Sequence, residues 1–298
     1  MRKFLSLLVA LTMVFALAAC SSQSGEGSPT EPPETQAPET QAPEADPTDA
    51  PSESGQDGGE LNLIQPGKLL MATNAAFPPY EMTDDAGNII GIDPEIAQAI
   101  ADKLGLELVI DNIDFDAALI SVQENRHDVI LAGLTYREDR DLVMDFTDSY
   151  ATGYQVIIVK EGDTTIAGTN DDLQLVDADG NVLEDIQIGV QRGTTGEMYC
   201  QDAHGVDHVT SLDNGSVAVR YLLNGQVDCV VIDKGPAEEY AKVNPGLEIL
   251  EAEYVIENYC AAVDEGNTAL LNAINGALNE LIQDGTVQQI MDRYISAE

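Results

Sequence analysis

Four short segments of the sequence carry side chains suited to binding a small zwitterion. They are residues 74–80, residues 133–140, residues 193–197 and Asp233, and each follows a predicted strand. A molecule with a carboxylate and an ammonium on one carbon needs an arginine fork, hydroxyls or backbone N–H groups, and a separate carboxylate. It also needs an apolar or aromatic wall. The four segments supply these groups, which indicates a binding site for an α-amino acid.

The sequence contains no recognisable catalytic or metal-binding motif. The GxSxG, HExxH and phosphate-binding GxxxxGK[ST] patterns are all absent. The histidines His127, His204 and His208 have no regular metal-binding spacing, and Gly205 weakens a helical pairing of the last two. We therefore expect no catalytic residue, no metal ion and no cofactor.

Predicted strands and helices alternate along most of the chain after residue 66. The first part alternates strands at 68–73, 106–110 and 128–131 with helices that begin near residue 91 and span 116–124. After a strand at 155–159 and a turn at 178–181, the second part has strands at 186–190, 208–210 and 227–232, and helices from residue 195, at 216–223 and at 236–242. Strands near 247–250 and 259–263 and helices at 268–283 and 287–294 complete the pattern. This alternation predicts an α/β fold with mainly parallel sheets.

Two α/β units joined by two extended segments indicate two lobes with a ligand cleft between them. We expect residues 66–152 and 258–298 to form lobe 1, and residues 153–257 to form lobe 2. The stretch 162–184, which is polar apart from a few apolar positions, has no role that the sequence reveals.

The first 19 residues have the layout of a signal peptide, with Arg2 and Lys3 before an apolar run. The segment Leu17-Ala18-Ala19-Cys20 resembles a bacterial lipobox, which implies cleavage before Cys20 and acylation of that cysteine with fatty acids such as palmitate. The alternative is an ordinary secretory signal in which Cys20 is incidental. The first interpretation predicts an extracytoplasmic protein that is lipid-anchored to the bacterial cell membrane.

We expect residues 20–61 to consist of the lipidated cysteine followed by a disordered, acidic, proline-rich tether. Between residues 21 and 60 there is no Leu, Ile, Val or aromatic residue, so the segment cannot bury enough apolar surface to fold. The whole chain has 53 Asp and Glu against 13 Lys and Arg, a net charge of −40. Nucleic acid is therefore an unsuitable partner. The same charge disfavours adsorption to anionic lipids, so the acyl chains would be the main membrane contact.

Apart from Cys20, the sequence contains Cys200, Cys229 and Cys260. Their odd number, wide spacing and lack of a CxxC pair give no zinc signature. Cys229 and Cys260 lie in apolar stretches that predict strands, which favours buried free thiols. One disulfide among the three is the alternative.

Several motifs occur in a fixed order between residues 66 and 298, among them FPPYE, GIDPEIAQAIADKLG, HDVILAGLTYREDR, MDFTDSY, IGVQRGTTGE and VDCVVID. This order resembles the cluster-3 solute-binding family, the periplasmic amino-acid-binding proteins of ABC importers. The resemblance implies a two-lobe periplasmic-binding-protein fold of type II, with two hinge strands between the lobes. It also implies a monomer that captures a free amino acid and delivers it to the transmembrane subunits of an ABC permease.

The resemblance also implies roles for individual residues. Arg140 matches the arginine that forks the ligand α-carboxylate, helped by Thr135 and by the backbone around Gly133 and Thr195. Asp233 matches the carboxylate that holds the α-ammonium. The remaining matches form the walls and the side-chain end of the site: Phe77 and Phe115 as an aromatic pair around the ligand, Thr194 at the helix start, and Asn74 and Gln191 at the selecting positions.

Asn74 stands where many relatives carry an acid. A desolvated cation needs a charged partner, so this asparagine favours a neutral or polar amino acid such as glutamine or cystine over arginine or lysine.

Other interpretations of these residues and of the whole chain stay open at the sequence level. Arg140 lies in TYREDRD and could form a surface ion pair. Phe77 and Phe115 could be plain core residues, and Asp233 could cap a helix. For the whole chain, one alternative is a prephenate or arogenate dehydratase-like enzyme with Glu197 as general acid. The other is an amino-acid sensor for a membrane receptor.

Overall fold

The computed structural model describes residues 61–295, and it describes side chains for all of these except residues 251–254. The predicted signal peptide, the lipidated Cys20 and nearly all of the predicted tether lie outside the described residues. Within 61–295, every helix is too short or too polar to cross a membrane.

The described chain contains seven α-helices, which mostly follow strands as the sequence predicts. They are α1 (Ile92–Leu104), α2 (Phe115–Gln123), α3 (Thr195–His204), α4 (Gly215–Leu223), α5 (Lys234–Val243), α6 (Thr268–Gln283) and α7 (Thr286–Tyr294). Helix α1 illustrates how its sequence sets its position. Its apolar residues Ile92, Ile96 and Ile100 recur at helical spacing and are fully buried, and Gly105 ends the helix in the left-handed conformation with φ 69°.

The strands form two five-stranded sheets and two small antiparallel ribbons. The strands of the first part are β1 (Lys68–Thr73), β2 (Ala76–Phe77), β3 (Glu81–Thr83), β4 (Ile89–Ile90), β5 (Glu107–Asn112), β6 (Val129–Ile130) and β7 (Met144–Phe146). Those of the second part are β8 (Ala151–Lys160), β9 (Gly168–Thr169), β10 (Leu175–Val176), β11 (Ile188–Gln191), β12 (Val209–Leu212), β13 (Cys229–Asp233), β14 (Leu247–Tyr259) and β15 (Ala262–Asp264).

Both five-stranded sheets have the same plan. The first has the order β5-β1-β6-β15-β7 and the second the order β12-β11-β13-β8-β14. In each, the fourth strand is antiparallel to both neighbours, and the other four run in one direction. Each sheet with its helices forms one lobe of a two-lobe type II fold, which confirms the predicted α/β class with mainly parallel sheets.

Strands β8 and β14 pair along most of their length and differ from the sequence prediction. The sequence predicts two short strands near 247–250 and 259–263, whereas β14 is one strand from Leu247 to Tyr259 with an irregular register between Leu250 and Val255. The polar stretch Glu251-Ala252-Glu253 hides this continuity. A separate short strand, β15, then joins the first sheet.

The stretch 162–184 forms a small ribbon on the second lobe. Strands β9 and β10 pair there, and Asp177 closes the predicted turn by accepting hydrogen bonds from the backbone N–H groups of Asp179 and Asn181. Its apolar residues Ile166 and Leu175 are buried with Cys200 and Cys229 in the second core cluster. Cys229 and Cys260 are buried free thiols, as the sequence predicts.

Candidate ligand-binding site

A cavity of about 320 Å³ lies between the two lobes. Every residue that the sequence predicts for the ligand site lines it: Asn74, Phe77, Phe115, Gly133, Thr135, Arg140, Gln191, Thr194, Thr195 and Asp233. Glu81 and Ala132 complete the lining. The structure thus brings together residues from five separate parts of the chain.

The topology explains why these residues converge. Asn74 follows β1, Gly133 follows β6 shortly after its end, and Gln191 and Asp233 are the last residues of β11 and β13. These strands are the parallel ones at the centre of each sheet. Their carboxyl ends from both lobes face one crevice, where ligands bind in open α/β sheets.

Arg140 is a buried cation that bridges the two lobes. Its Nη1 donates to the carbonyl of Thr135 at 2.9 Å, and its Nη2 donates across the cleft to the carbonyl of Gly193 at 2.9 Å. Phe115 lies beside it, with the guanidinium carbon 5.8 Å from the ring centroid. The predicted alternative of a surface ion pair is wrong, because Arg140 is 8% exposed and has no carboxylate within ion-pair distance among residues 61–295. Burial lowers the pKa of Arg140 to about 10.

Asp233 occupies the N-cap position of α5 without capping it. Its carboxylate instead accepts hydrogen bonds from Tyr259 Oη and from Gln155 Nε2, the latter at 2.8 Å. Burial, and then the charge of Glu257, raise the pKa of Asp233 to about 8. Gln155 Nε2 also lies 3.0 Å from Glu257 Oε2, so one amide joins two buried carboxylates.

Glycine is required at position 133 for the aromatic wall to form. Gly133 has φ +53°, and a Cβ there would lie 2.6 Å from a ring carbon of Phe77. Its N–H donates to Asp93 Oδ2 at 2.8 Å, so in this arrangement that N–H is occupied. Phe77 and Phe115 are each about 6% exposed, lie in separate core clusters and also line the cavity. Core and cavity wall are therefore both correct descriptions of these two rings.

Asn74 and Gln191 form a second link between the lobes. Gln191 Nε2 donates to Asn74 Oδ1 at 3.1 Å, and Asn74 Nδ2 donates to the carbonyl of Ile113 at 2.9 Å. Gln191 Oε1 is buried and has no hydrogen-bond partner among the described residues. Gln191 lines the cavity, so this oxygen is an unused acceptor on a cavity-lining residue.

The N-terminus of α3 opens at the cavity. Thr194 caps the helix by accepting a hydrogen bond from the Glu197 N–H, and Thr195 is the first helical residue. Partial positive charge at a helix N-terminus favours an anion there. Glu197 itself is absent from the cavity lining, because its carboxylate accepts from the Gly193 N–H and from Ser211. The carboxylate of Glu197, the candidate general acid, is thus engaged by Gly193 and Ser211 and does not face the cavity.

Three buried residues at the site were missed by sequence reasoning: Glu81, Gln155 and Glu257. Glu81 is fully buried, lines the cavity and has no partner for either carboxylate oxygen among the described residues. Gln155 and Glu257 lie within strands β8 and β14. Gln155 precedes an apolar run within its strand, which was an available signal, and Glu81 directly follows the segment 74–80. Glu257 is one of several acids in its strand and gave no such signal.

The three histidines contact different partners. His127 contacts Ser121 and Asp111, His204 accepts from the Leu175 N–H, and His208 contacts the carbonyl of Ile186. In the described part of the chain, acidic, cysteine and histidine side chains form no group that could hold a metal ion.

Comparison with known proteins identifies a family and several relatives. The family described as "Bacterial extracellular solute-binding proteins, family 3" matches residues 69–297. The L-cystine-binding protein TcyJ of Escherichia coli K12 is 28% identical over 246 residues, which cover 81% of this chain and 88% of that protein. A probable histidine-binding protein of Neisseria gonorrhoeae is 28% identical over 239 residues, 78% of this chain and 85% of that protein.

Among solved structures, an ancestral arginine-binding protein bound to glutamine superimposes with a TM-score of 0.71 at 35% identity. The match covers 78% of this chain and 100% of that one. These relatives are binding proteins, which argues against an enzyme.

Proposed function

Because this chain belongs to the bacterial extracellular solute-binding proteins, family 3, we propose that it captures a free amino acid outside the cytoplasm and delivers it to an ABC permease. One observation carries the proposal. A buried arginine without a carboxylate partner among the described residues and a buried carboxylate, Asp233, line the same interlobe cavity. An α-amino acid supplies the complementary pair of charges.

Arg140 is the proposed receptor for the ligand carboxylate. A guanidinium has five N–H donors in a planar fork, and only two of the Arg140 nitrogens are bonded to backbone carbonyls. The N-terminus of α3 at Thr195 lies on the same cavity and adds partial positive charge. A ligand carboxylate would thus accept hydrogen bonds from the guanidinium donors that the backbone carbonyls leave free.

Asp233 is the proposed receptor for the ligand ammonium. It lies on the second lobe, whereas Thr135 and Arg140 lie on the first, so a bound zwitterion would hold the lobes together. Arg140 to Gly193 and Gln191 to Asn74 already join them. A closed, water-poor site strengthens both charge pairs.

The side chain of the ligand is the finer question. The sequence favours a neutral or polar ligand because Asn74 is uncharged, and the unpaired Gln191 Oε1 suits a donor such as a glutamine amide. The names of the relatives suggest cystine, histidine or arginine instead. We retain glutamine and cystine as the first ligands to test, with arginine and histidine as the rivals.

The proposal has three further parts. We propose that the protein is lipid-anchored at Cys20, that it is a monomer, and that it delivers its ligand to a permease rather than to a receptor. The lipobox supports the anchor. Metabolic labelling with a fatty acid, compared between the wild type and Cys20→Ala, tests it directly.

Replacing Arg140 tests the proposed function. We expect Arg140→Met to weaken amino-acid binding at least about 30-fold, because losing one partner of a buried charge pair costs about 2 kcal/mol or more. Titration calorimetry measures the affinity, and thermal unfolding verifies that the variant is folded.

Arg192→Met is the matched control. Arg192 lies near the same cleft, but it is exposed and paired with Asp213 at 3.1 Å. Undiminished affinity in Arg140→Met would overturn the carboxylate assignment. A thermal-shift screen of the wild type against the amino acids identifies the ligand, since binding raises the unfolding temperature by mass action. No shift with any amino acid would reject the function itself.

A further inference from the structure

Two buried carboxylates, not one, lie beside the proposed ammonium site. Asp233 ends β13 and Glu257 lies on β14, and strand β8 runs between these two strands. Gln155 on β8 donates its Nε2 to Asp233 Oδ2 at 2.8 Å and to Glu257 Oε2 at 3.0 Å. These two oxygens are therefore within about 6 Å of each other, the range in which like charges shift protonation. Asp233 is 5% exposed and Glu257 is 3% exposed.

The hydrogen bonds to this acid pair come from neutral donors. Tyr259 Oη donates to Asp233, and Thr135 Oγ1 donates to Glu257 Oε2 at 3.1 Å. Neither acid has an ion-pair partner in the described part of the chain. Two ionised carboxylates this close and this deeply buried are unfavourable without a cation.

The charged and titratable groups that face the pair do not neutralise it. The Arg140 guanidinium is near enough to Glu257 to act on it by charge, but its hydrogen bonds go to backbone carbonyls. Tyr199 on α3 also faces Glu257. Tyr80 and Glu81 also face Asp233, and neither of them brings a positive charge. Burial and Glu257 together raise the pKa of Asp233 to about 8.

The acid pair and the Gln155 amide between its members also have unpaired acceptor atoms. Glu257 Oε1 and Gln155 Oε1 are buried and have no hydrogen-bond partner among residues 61–295. Thr135 and Asp233, which contact the pair or belong to it, line the cavity. A ligand ammonium brings three N–H donors and a positive charge. The ammonium would therefore supply the hydrogen-bond donors and the positive charge that the acid pair lacks.

We propose that Glu257 is a second carboxylate of the ammonium site, and that the proton which Asp233 holds beside it in the ligand-free protein is displaced by the ligand ammonium. This rests on the proposed function, because the ammonium is that of a captured amino acid. Binding then releases that proton to the solvent as the amino acid enters, and no bond of the amino acid itself is made or broken.

The exchange makes affinity depend on pH with a definite sign. Below the pH at which the ligand-free pair loses its proton, the proton competes with the ammonium, so affinity rises with pH. We expect up to about a tenfold gain per pH unit between about pH 5.5 and about pH 7.5, where the ligand amine stays protonated.

Calorimetry in two buffers of different ionisation enthalpy, phosphate and Tris, measures the protons released per ligand bound. The probe is whichever of L-glutamine or L-arginine gives the larger thermal shift, or the best ligand of the amino-acid panel if neither binds. Neither probe has a group that titrates near neutral pH. The wild type is expected to release about one proton at pH 7 and fewer as the pH rises past about 8.

Glu257→Gln separates the pair from the rest of the site. The amide keeps an oxygen for Thr135 and Gln155 but removes the charge, so proton release should fall at least by half and its pH profile should move to lower pH. Glu248→Gln makes the same substitution at an exposed position on the same strand and should release as many protons as the wild type.

The outcomes distinguish this inference from the function beneath it. If no amino acid binds the wild type, the proposed function fails. If an amino acid binds without proton release, or if Glu257→Gln releases as many protons as the wild type at every pH, only this further inference fails. The wild-type pH series tests the proton exchange even if the variant does not fold.

Discussion

Two buried acid pairs lie next to the cavity, and their surroundings give them different properties. Asp93 and Glu81 form the first pair, inside the first lobe, and Asp233 and Glu257 form the second. Asp93 accepts hydrogen bonds from the Gly133 N–H and from Tyr150 Oη, each at 2.8 Å. The backbone and Tyr150 thus hold Asp93 as the charged member of its pair.

Glu81 is the neutral member of the first pair. Burial, followed by the charge of Asp93, raises the pKa of Glu81 well above its usual value, whereas burial raises that of Asp93 only to about 6. The proton of the first pair therefore resides on Glu81. In the second pair, the single Nε2 group of Gln155 donates to both carboxylates, whereas Asp93 in the first pair accepts from the backbone N–H of Gly133. Two carboxyl groups thus form a fixed structural contact in the first pair, whereas in the second pair we propose that their proton exchanges with a ligand.

The largest effect should come from removing the charge that the first lobe holds in place. Asp93→Asn puts an amide NH₂ group where the carboxylate accepts from Gly133 and Tyr150, so we expect a loss of about 2–3 kcal/mol in the free energy of unfolding. This corresponds to a fall in Tm of about 4–10 °C in thermal unfolding without ligand. Asp102→Asn, at an exposed position of α1, should leave Tm near that of the wild type. An unchanged Tm in Asp93→Asn would show that Asp93 is not held as proposed.

The same substitution in the second pair should have the opposite sign. The pKa of Asp233 in the folded protein, about 8, exceeds its ordinary value, so between about pH 4 and pH 8 only the unfolded chain gives up this proton. The contribution of Asp233 to stability is therefore complete below about pH 4 and is lost as the pH rises towards 8. Asp233→Asn removes that loss, and Gln155 can turn its unpaired Oε1 to the new NH₂ group.

We expect Asp233→Asn to raise Tm by about 2–6 °C at pH 8 and by less at pH 5, although it weakens ligand binding. Thermal unfolding of the ligand-free protein at both pH values measures the effect. Asp228→Asn, on an exposed acid just before the same strand, should give no gain at pH 8. A gain of equal size at both pH values would mean that the ionisation of Asp233 is not its source.

The sequence predicts the second pair only in part, for a physical reason. Asp233 ends a strand within a motif and has an obvious polar role, so its position is predictable. Glu257 and Gln155 lie inside strands, where alternation places a residue on one face without telling whether that face is core, cleft or solvent. Only the pairing of β8 with β13 and β14 brings these side chains to Asp233.

The cavity lining and the fold are easier to predict from the sequence than the second acid pair. Strand and helix order fixes which strand ends meet, and the motifs mark Arg140 and the aromatic residues at those ends. What the sequence could not supply is the partner of each group. Asn74 illustrates this, because its amide is engaged by Gln191 and Ile113 rather than left open for a ligand.

The smallest effect should come from Glu81→Gln, and it sharpens the contrast between the pairs. A glutamine amide has the shape of a protonated glutamic acid and places N–H donors in place of the acid's O–H beside Asp93. We therefore expect a stability change within about 1 kcal/mol, measured by denaturant unfolding at pH 7. Affinity for a neutral ligand should change by less than about threefold. A loss of tenfold or more for arginine alone, with glutamine binding unchanged, would instead mean that Glu81 ionises to receive a cationic side chain. That result would make the first pair a ligand site as well, and would replace the neutral-ligand prediction drawn from Asn74.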